Sequence, residues 1–231
     1  MKVFVLCGRC PDLSPEDAHD YWRHPHGTWG ARMSTLHGYV QSHKIHTDLL
    51  GPRQVEYDFV AEMWLHNLED LRALGEEPVF KKYLIPDGPN FLDMSRSIII
   101  ATDEEVLTSG PWQNPELNPG DEFWSDAARP ISVKLLHFVA RASDQSSADQ
   151  SWTSRKDVSL GRSLGALRYV RCTPLMAFHG DEAPFLGVQE LWWPTVRAFR
   201  EGVGVHGPAL DELLKGSPES MTLLVQAERL R

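Results

Sequence analysis

The chain has 231 residues, 42% hydrophobic and 24% charged, which is ordinary usage for a folded protein and argues against disorder along its length. Its net charge of −9 disfavours a surface for nucleic acid or anionic membrane, and no apolar run approaches the ~20 residues that span a bilayer. Met1-Lys2-Val3-Phe4-Val5-Leu6-Cys7 turns polar too early for a secretory leader, and three cysteines make no disulfide framework, so a reducing cytoplasm is the expected compartment.

Taken in chain order, Val3 to Arg9 reads as a strand. Ser14-Pro15-Glu16-Asp17 opens a helix with a serine cap, a proline in the first turn and acids at the positive end of the dipole. Ala18, Tyr21, Trp22, Trp29 and Met33 form its apolar stripe, with a kink expected at Pro25. Strands follow around Tyr39-Val40 and over Asp58–Leu65, then a short helix over Leu68–Leu74 and a strand through Ser97–Ile100.

The pattern then repeats. Val3–Arg9 lies over Leu135–Arg141 at an offset of 132, and Tyr39-Val40 over Tyr169-Val170 at 130. Val60-Ala61-Glu62-Met63-Trp64 lies over Val188-Gln189-Glu190-Leu191-Trp192 at 128, and Ser97–Ile100 over Thr222–Val225 at 125. A slow one-way drift is what shorter loops in a second copy produce, and four ordered matches argue against chance. Each copy is strand, helix, strand, strand, helix, strand, the order of a ferredoxin-like βαββαβ unit. The expected organisation is therefore α+β: a unit over residues 1–105, a join over 106–130 and a divergent unit over 131–231. The join is rich in proline, glycine and acids, yet Trp112, Phe123 and Trp124 predict that it packs. The second copy's first helix, around residues 148–155, is the poorest element.

Arg9-Cys10-Pro11-Asp12-Leu13-Ser14-Pro15-Glu16, followed by Tyr21-Trp22-Arg23-His24-Pro25-His26-Gly27, resembles the EthD-type family. Tyr57-Asp58, the Val60–Trp64 strand and Asp87…Phe91-Leu92-Asp93 are similar to it as well. In the second half only the Val-x-Glu-x-Trp strand and the strand order match, and the His-Gly pair has no counterpart. The resemblance implies an α+β barrel in which two antiparallel ferredoxin-like sheets face each other around a cavity, here within one chain. It also implies aromatic, ether or polyketide metabolism and places the His-Gly histidine by the cavity mouth.

Seven of the ten histidines fall in the first 66 residues, so the chemistry is sought there. His26 stands one helical turn after Trp22 and two after His19, and an imidazole near neutral pKa both takes and gives protons. His24 is a weaker neighbour. Tyr39 and His43 share a strand face and could hold a phenol or carbonyl oxygen as negative charge develops. On the third strand Phe59, Ala61, Met63 and Leu65 form an apolar face suited to helices, while Asp58, Val60, Glu62 and Trp64 form a mixed face suited to a ligand cavity. The plainer reading pairs Glu62 with an arginine and lets Trp64 fill the barrel. Cys7-Gly8-Arg9-Cys10 is a CxxC, but its second cysteine lies in a loop well before the helix cap, unlike a redox motif. Cys10 with His24 or His26 has no recognised zinc spacing, so no metal is expected.

The sequence thus points to a cofactor-independent enzyme acting on a small apolar or aromatic molecule by a proton-transfer lyase, isomerase, cyclase or dehydratase step. His26 would be the acid/base, Tyr39 and His43 would orient an oxygen, and Trp22, Trp29 and Trp64 would wall the cavity beside Asp58, Glu62 and His24. A non-catalytic binding protein serving a catabolic oxygenase is the second reading, and a haem-binding barrel the third. Pairing of two such chains into a homodimer is compatible with the sequence.

Overall fold

The computed structural model describes residues 1–109, 129–141, 152 and 158–231. Among them eight strands occur in sequence: β1 (Lys2–Arg9), β2 (Gly38–Lys44), β3 (Phe59–Trp64), β4 (Leu92–Ser109), β5 (Ile131–Val139), β6 (Arg168–Pro174), β7 (Gly187–Trp193) and β8 (Met221–Arg229). They close into an antiparallel barrel in the order β1-β3-β2-β8-β5-β7-β6-β4. The groups β2-β3-β1-β4 and β6-β7-β5-β8 have the same internal order. They join edge to edge, β2 against β8 and β4 against β6, so neither group leaves an unpaired edge.

Helices cover the outer faces: α1 (Pro15–Tyr21), α2 (Gly27–Gly30), α3 (Leu68–Leu74), α4 (Ile85–Asp87), α5 (Ser159–Ser163), α6 (Met176–His179) and α7 (Val196–Leu213). The Ser14 side chain caps α1 by accepting from the Asp17 amide at 3.1 Å, as its sequence position predicts. Asn67 and Thr195 cap α3 and α7 in the same way. Between α1 and α2 the chain widens through Trp22–His26, and His24 leaves helical geometry (φ −153°, ψ 122°) just before Pro25. The predicted kink is therefore present.

β4 is longer than its sequence suggested. It runs to Ser109, and its distal half pairs with β6, so residues 106–109 belong to the barrel rather than to the join. The remainder of the proline-rich join, with Trp112, Phe123 and Trp124, lies outside the described residues, as does the second copy's first helix apart from the buried Trp152.

Alternation along the strands separates two cores. Phe4, Leu6, Val60, Ile100, Leu136, Phe138, Val170, Val188 and Leu223 point inward and fill the barrel. At one end of this interior sit four charged side chains with no exposure at all. Lys2 Nζ lies 2.7 Å from Glu62 Oε2 and also contacts Glu190. Lys134 Nζ lies 2.7 Å from Glu62 Oε2 and 3.5 Å from Glu190 Oε2. Ser42 donates to Glu62. Burial opposes the charge on Lys2, but Glu190 and Glu62 outweigh it and hold the ammonium well above the usual lysine range. Burial likewise opposes the charge on Glu62, and Lys134 and Lys2 reverse the balance, so its carboxyl stays ionised.

Each lysine bridges carboxylates from both halves, and two positive charges balance two negative ones. Removing one member leaves an uncompensated buried charge, which costs about 3–5 kcal/mol. Lys134→Met is therefore expected to lower the urea-unfolding free energy by ~3–5 kcal/mol. A loss below ~1 kcal/mol would show that the quartet carries little of the barrel's stability.

Candidate functional site

The inward face of β3 is occupied by ion pairs and packed side chains. Glu62 is bound by two lysines, and the Trp64 ring lies 4.4 Å from Lys2 Nζ and 5.3 Å from the Arg229 guanidinium. Asp58 accepts from the Arg9 amide at 3.1 Å. The expectation that Asp58, Glu62 and Trp64 line a cavity is thus corrected: Glu62 and Trp64 sit against the buried lysines, Asp58 is paired with Arg9 just before the strand, and none of the three lines the chamber described below.

The open space lies on the opposite face of the same strands. A cavity of about 330 Å³ sits between the sheet formed by β1, β3 and β4 and the helices above it, within the range of small-molecule sites. Val3, Val5 and Cys7 from β1 and Phe59, Ala61 and Met63 from β3 form its floor. Trp22, His26, Met33, Leu71, Leu74 and Leu84 form much of its roof. The face predicted to pack beneath helices does so, and the helices stand off far enough to leave a chamber. The lining contains no lysine or arginine among the described residues.

His26 and Tyr39 both line this chamber. His26 Nδ1 lies 2.8 Å from Asp87 Oδ2, and the imidazole meets the Phe91 ring edge-on at 4.8 Å. Burial pushes the His26 pKa below its ordinary value, and the Asp87 carboxylate opposes that shift only in part. The imidazole is therefore neutral near pH 7. With Nδ1–H directed at Asp87, Nε2 is the nitrogen left to exchange a proton. Asp87 Oδ1 in turn accepts from Tyr21 Oη at 2.7 Å and from Asn90 Nδ2 at 3.2 Å. Asp87 entered the sequence reading only as part of a family resemblance. Tyr21 and His26 lie 66 and 61 residues from it, so these two contacts give no local signal.

Tyr39 is 4% exposed, and burial pushes its phenol up to about 12, so it remains a hydrogen-bond donor at any ordinary pH. Gln41 Nε2 donates to Tyr39 Oη at 3.2 Å and to the Trp22 carbonyl at 2.7 Å. The glycine of the His-Gly pair has a packing reason. A Cβ on Gly27 would stand 2.7 Å from Gln41 Nε2, and one on Gly30 would stand 2.8 Å from Tyr39 Cε1. Both glycines let the helical segment lie directly on β2.

Other predicted site residues fall elsewhere. His43 shares the strand face of Tyr39 but lies beyond the chamber, sealed by Trp22 at 4.6 Å, with its Nδ1 2.9 Å from His19 Nδ1. His43 Nε2 is 3.6 Å from Glu228 Oε2. Burial pushes the pKa of His43 down to about 3 and that of His19 down to about 4. Trp29 stacks on Tyr83 at 5.3 Å instead of walling the cavity, and His24 is exposed with Nδ1 2.8 Å from Thr28 Oγ1. Of the CxxC, Cys7 faces the chamber with its thiol pushed up to about 11 by burial. Cys10 instead directs its thiol to the Leu92 carbonyl at 3.3 Å. Glu104, Cys172 and Glu190 could offer three metal ligands, but Lys2 already lies 3.6 Å from Glu104 and against Glu190. An ammonium thus occupies the place of a cation, on the opposite face of the sheet from the chamber.

The His19–His43 pair has a measurable consequence. Both pKa values are depressed from 6.5, so between pH 6.5 and about 4 the unfolded chain binds protons that the folded chain refuses. Stability from this pair is full above pH 6.5 and falls as pH drops, by up to about 1.4 kcal/mol per pH unit for each group. The double variant His19→Gln/His43→Gln is expected to flatten the slope of unfolding free energy between pH 6.5 and 5. An unchanged slope would show that the pair is not held neutral.

Comparison with known proteins places the chamber in context. Residues 10–95 match the EthD domain family model, a span that covers α1 to α4, β2, β3 and the start of β4. The decarboxylase claH of Passalora fulva is 28% identical over 83 residues, covering 34% of this chain and 54% of that protein. The chain thus spans about half of that relative's length. The decarboxylase nsrE of Aspergillus novofumigatus is 23% identical over 120 residues, covering 46% of this chain and 80% of the relative. Among solved structures, an anthrone oxidase-like protein superposes with a TM-score of 0.54 at 12% identity, over 99% of this chain and 92% of the other. A candidate monooxygenase of Fusobacterium nucleatum gives 0.54 at 6% identity, over 100% and 92%. These two likenesses concern the fold alone. His26 and the helices that roof the chamber fall within residues 10–95, the span that is similar to the EthD domain family model.

Proposed function

We propose that the protein is a lyase of small-molecule metabolism, built from two ferredoxin-like units over residues 1–105 and 131–231, that decarboxylates a small aromatic or polyketide-like acid without a cofactor. The observation that carries this reading is an imidazole at an apolar chamber with Nδ1 fixed by Asp87 and Nε2 left for substrate. The names of the two curated relatives support the choice of decarboxylation within the lyase class.

The chemistry follows from these groups. Neutral His26 takes a proton from an acidic hydroxyl or carboxyl of the substrate. The His26 imidazolium delivers that proton to the ring carbon that bears the carboxylate, and the neighbouring oxygen takes on carbonyl character. The bond from that carbon to the carboxylate then breaks, its electron pair returns to the conjugated system, and CO₂ departs. Tyr39 donates to the carbonyl or phenol oxygen on which charge accumulates. A carboxylate entering the chamber loses hydration and meets no cation among the described lining residues, a cost relieved as CO₂ leaves. Trp22 supplies an apolar wall for the ring.

CO₂ release from a panel of ortho-hydroxyaryl and β-keto aromatic acids tests the reading. His26→Ala is expected to lower the rate by about 10²–10⁴-fold with an unchanged melting temperature. Full activity in that variant would overturn the assignment. Tryptophan quenching by these acids, with the acids recovered intact from wild type, would favour a binding protein instead.

A further inference from the structure

His26 does not sit on its carboxylate alone. Asp87 is 6% exposed and has three polar contacts: His26 Nδ1 on Oδ2 at 2.8 Å, Tyr21 Oη on Oδ1 at 2.7 Å and Asn90 Nδ2 on Oδ1 at 3.2 Å; Asn90 Nδ2 also donates to Tyr21 Oη at 3.2 Å. Three elements converge on this carboxylate: the end of α1, the wide turn before α2, and the Pro86–Asn90 segment. The charged or titratable group facing His26 is Asp87, and those facing Asp87 are His26 and Tyr21.

We infer that Tyr21 is a positioning residue for His26, acting through Asp87. Its hydroxyl fixes the carboxylate plane so that Oδ2 receives Nδ1–H, which selects the tautomer with Nε2 basic and turned away from the carboxylate. Its donated proton also draws charge from the carboxylate. Asp87 therefore orients the imidazole without holding it as an imidazolium, the state a general base needs. The raised pKa of Tyr21, caused first by its bond to Asp87, agrees with an ionised carboxylate facing a phenol that keeps its proton. The tyrosine ring rests on Phe91 at 5.4 Å, so replacing the hydroxyl alone leaves the packing in place. This role rests on the proposed use of His26 as acid/base, but its geometry can be tested without any substrate.

The experiment is an NMR titration of ring-labelled histidines in wild type, Tyr21→Phe and Asn90→Ala, with His26→Gln to assign the resonance. Removing the phenol donor is expected to raise the His26 midpoint by about 0.5–1 pH unit, with a smaller rise in Asn90→Ala and little change in melting temperature. The acid limb of any CO₂-release profile would move with it. Unchanged His26 midpoints in both folded variants would overturn the inference. A shifted midpoint in a protein that releases no CO₂ would support the positioning role while sinking the proposed reaction.

Discussion

Two glutamates and two lysines taken wholly out of water decide how this barrel can be used. Isolated, any one of them would be intolerable there, and together they neutralise one another across the junction of the two halves. Lys2 and Lys134 occupy corresponding positions at the repeat's offset of 132, and Glu62 and Glu190 correspond at 128. The quartet is thus a pseudo-symmetric object that each half completes for the other. The quartet and the apolar residues beyond it occupy the barrel interior, and the chamber lies on the outer face, beneath the helices.

Among the described residues, the chamber lies on the outer face of the first half. In the first, β1 and β3 present Val3, Val5, Ala61 and Met63 under helices that stand away from them. In the second, Trp193, Phe199, Leu210, Leu213 and Leu214 pack densely against Leu135 and Leu191. Trp193 is 1% exposed and sits where the first copy has Leu65. Larger side chains and the 18-residue α7 fill the volume that the first half keeps empty. The concentration of histidines in the first 66 residues follows the same division, although four of the seven, His24, His37, His46 and His66, are exposed and away from the chamber lining.

The order of elements, the cap at Ser14, the kink before Pro25 and the two faces of β3 were all legible, because each is set by local spacing. Which face held space was not legible. A strand pattern separates inside from outside, but the gap depends on how far the helices stand off, set by contacts such as Gly27 on Gln41 and Gly30 on Tyr39. The partners of Glu62 were also missed. An arginine was expected, whereas the cations are lysines at a strand's first residue and in the middle of an apolar run. The repeat itself offered the clue, since two lysines at a shared offset are hard to explain on the surface of one strand. Asp87 was invisible for a different reason: its role arises from residues brought together over more than 60 positions of sequence.

We propose that ligands bind outside the barrel, under the N-terminal helices, because buried charge and packed side chains occupy the inside. The most direct measurement is a crystal structure of the protein soaked with 2-naphthol, a two-ring phenol without the carboxylate. The account predicts density between Trp22, His26, Tyr39 and the outer face of β1, with the Lys2–Glu62–Lys134–Glu190 quartet undisturbed. Density inside the barrel against Glu62 and Trp64, with the lysines displaced, would contradict it.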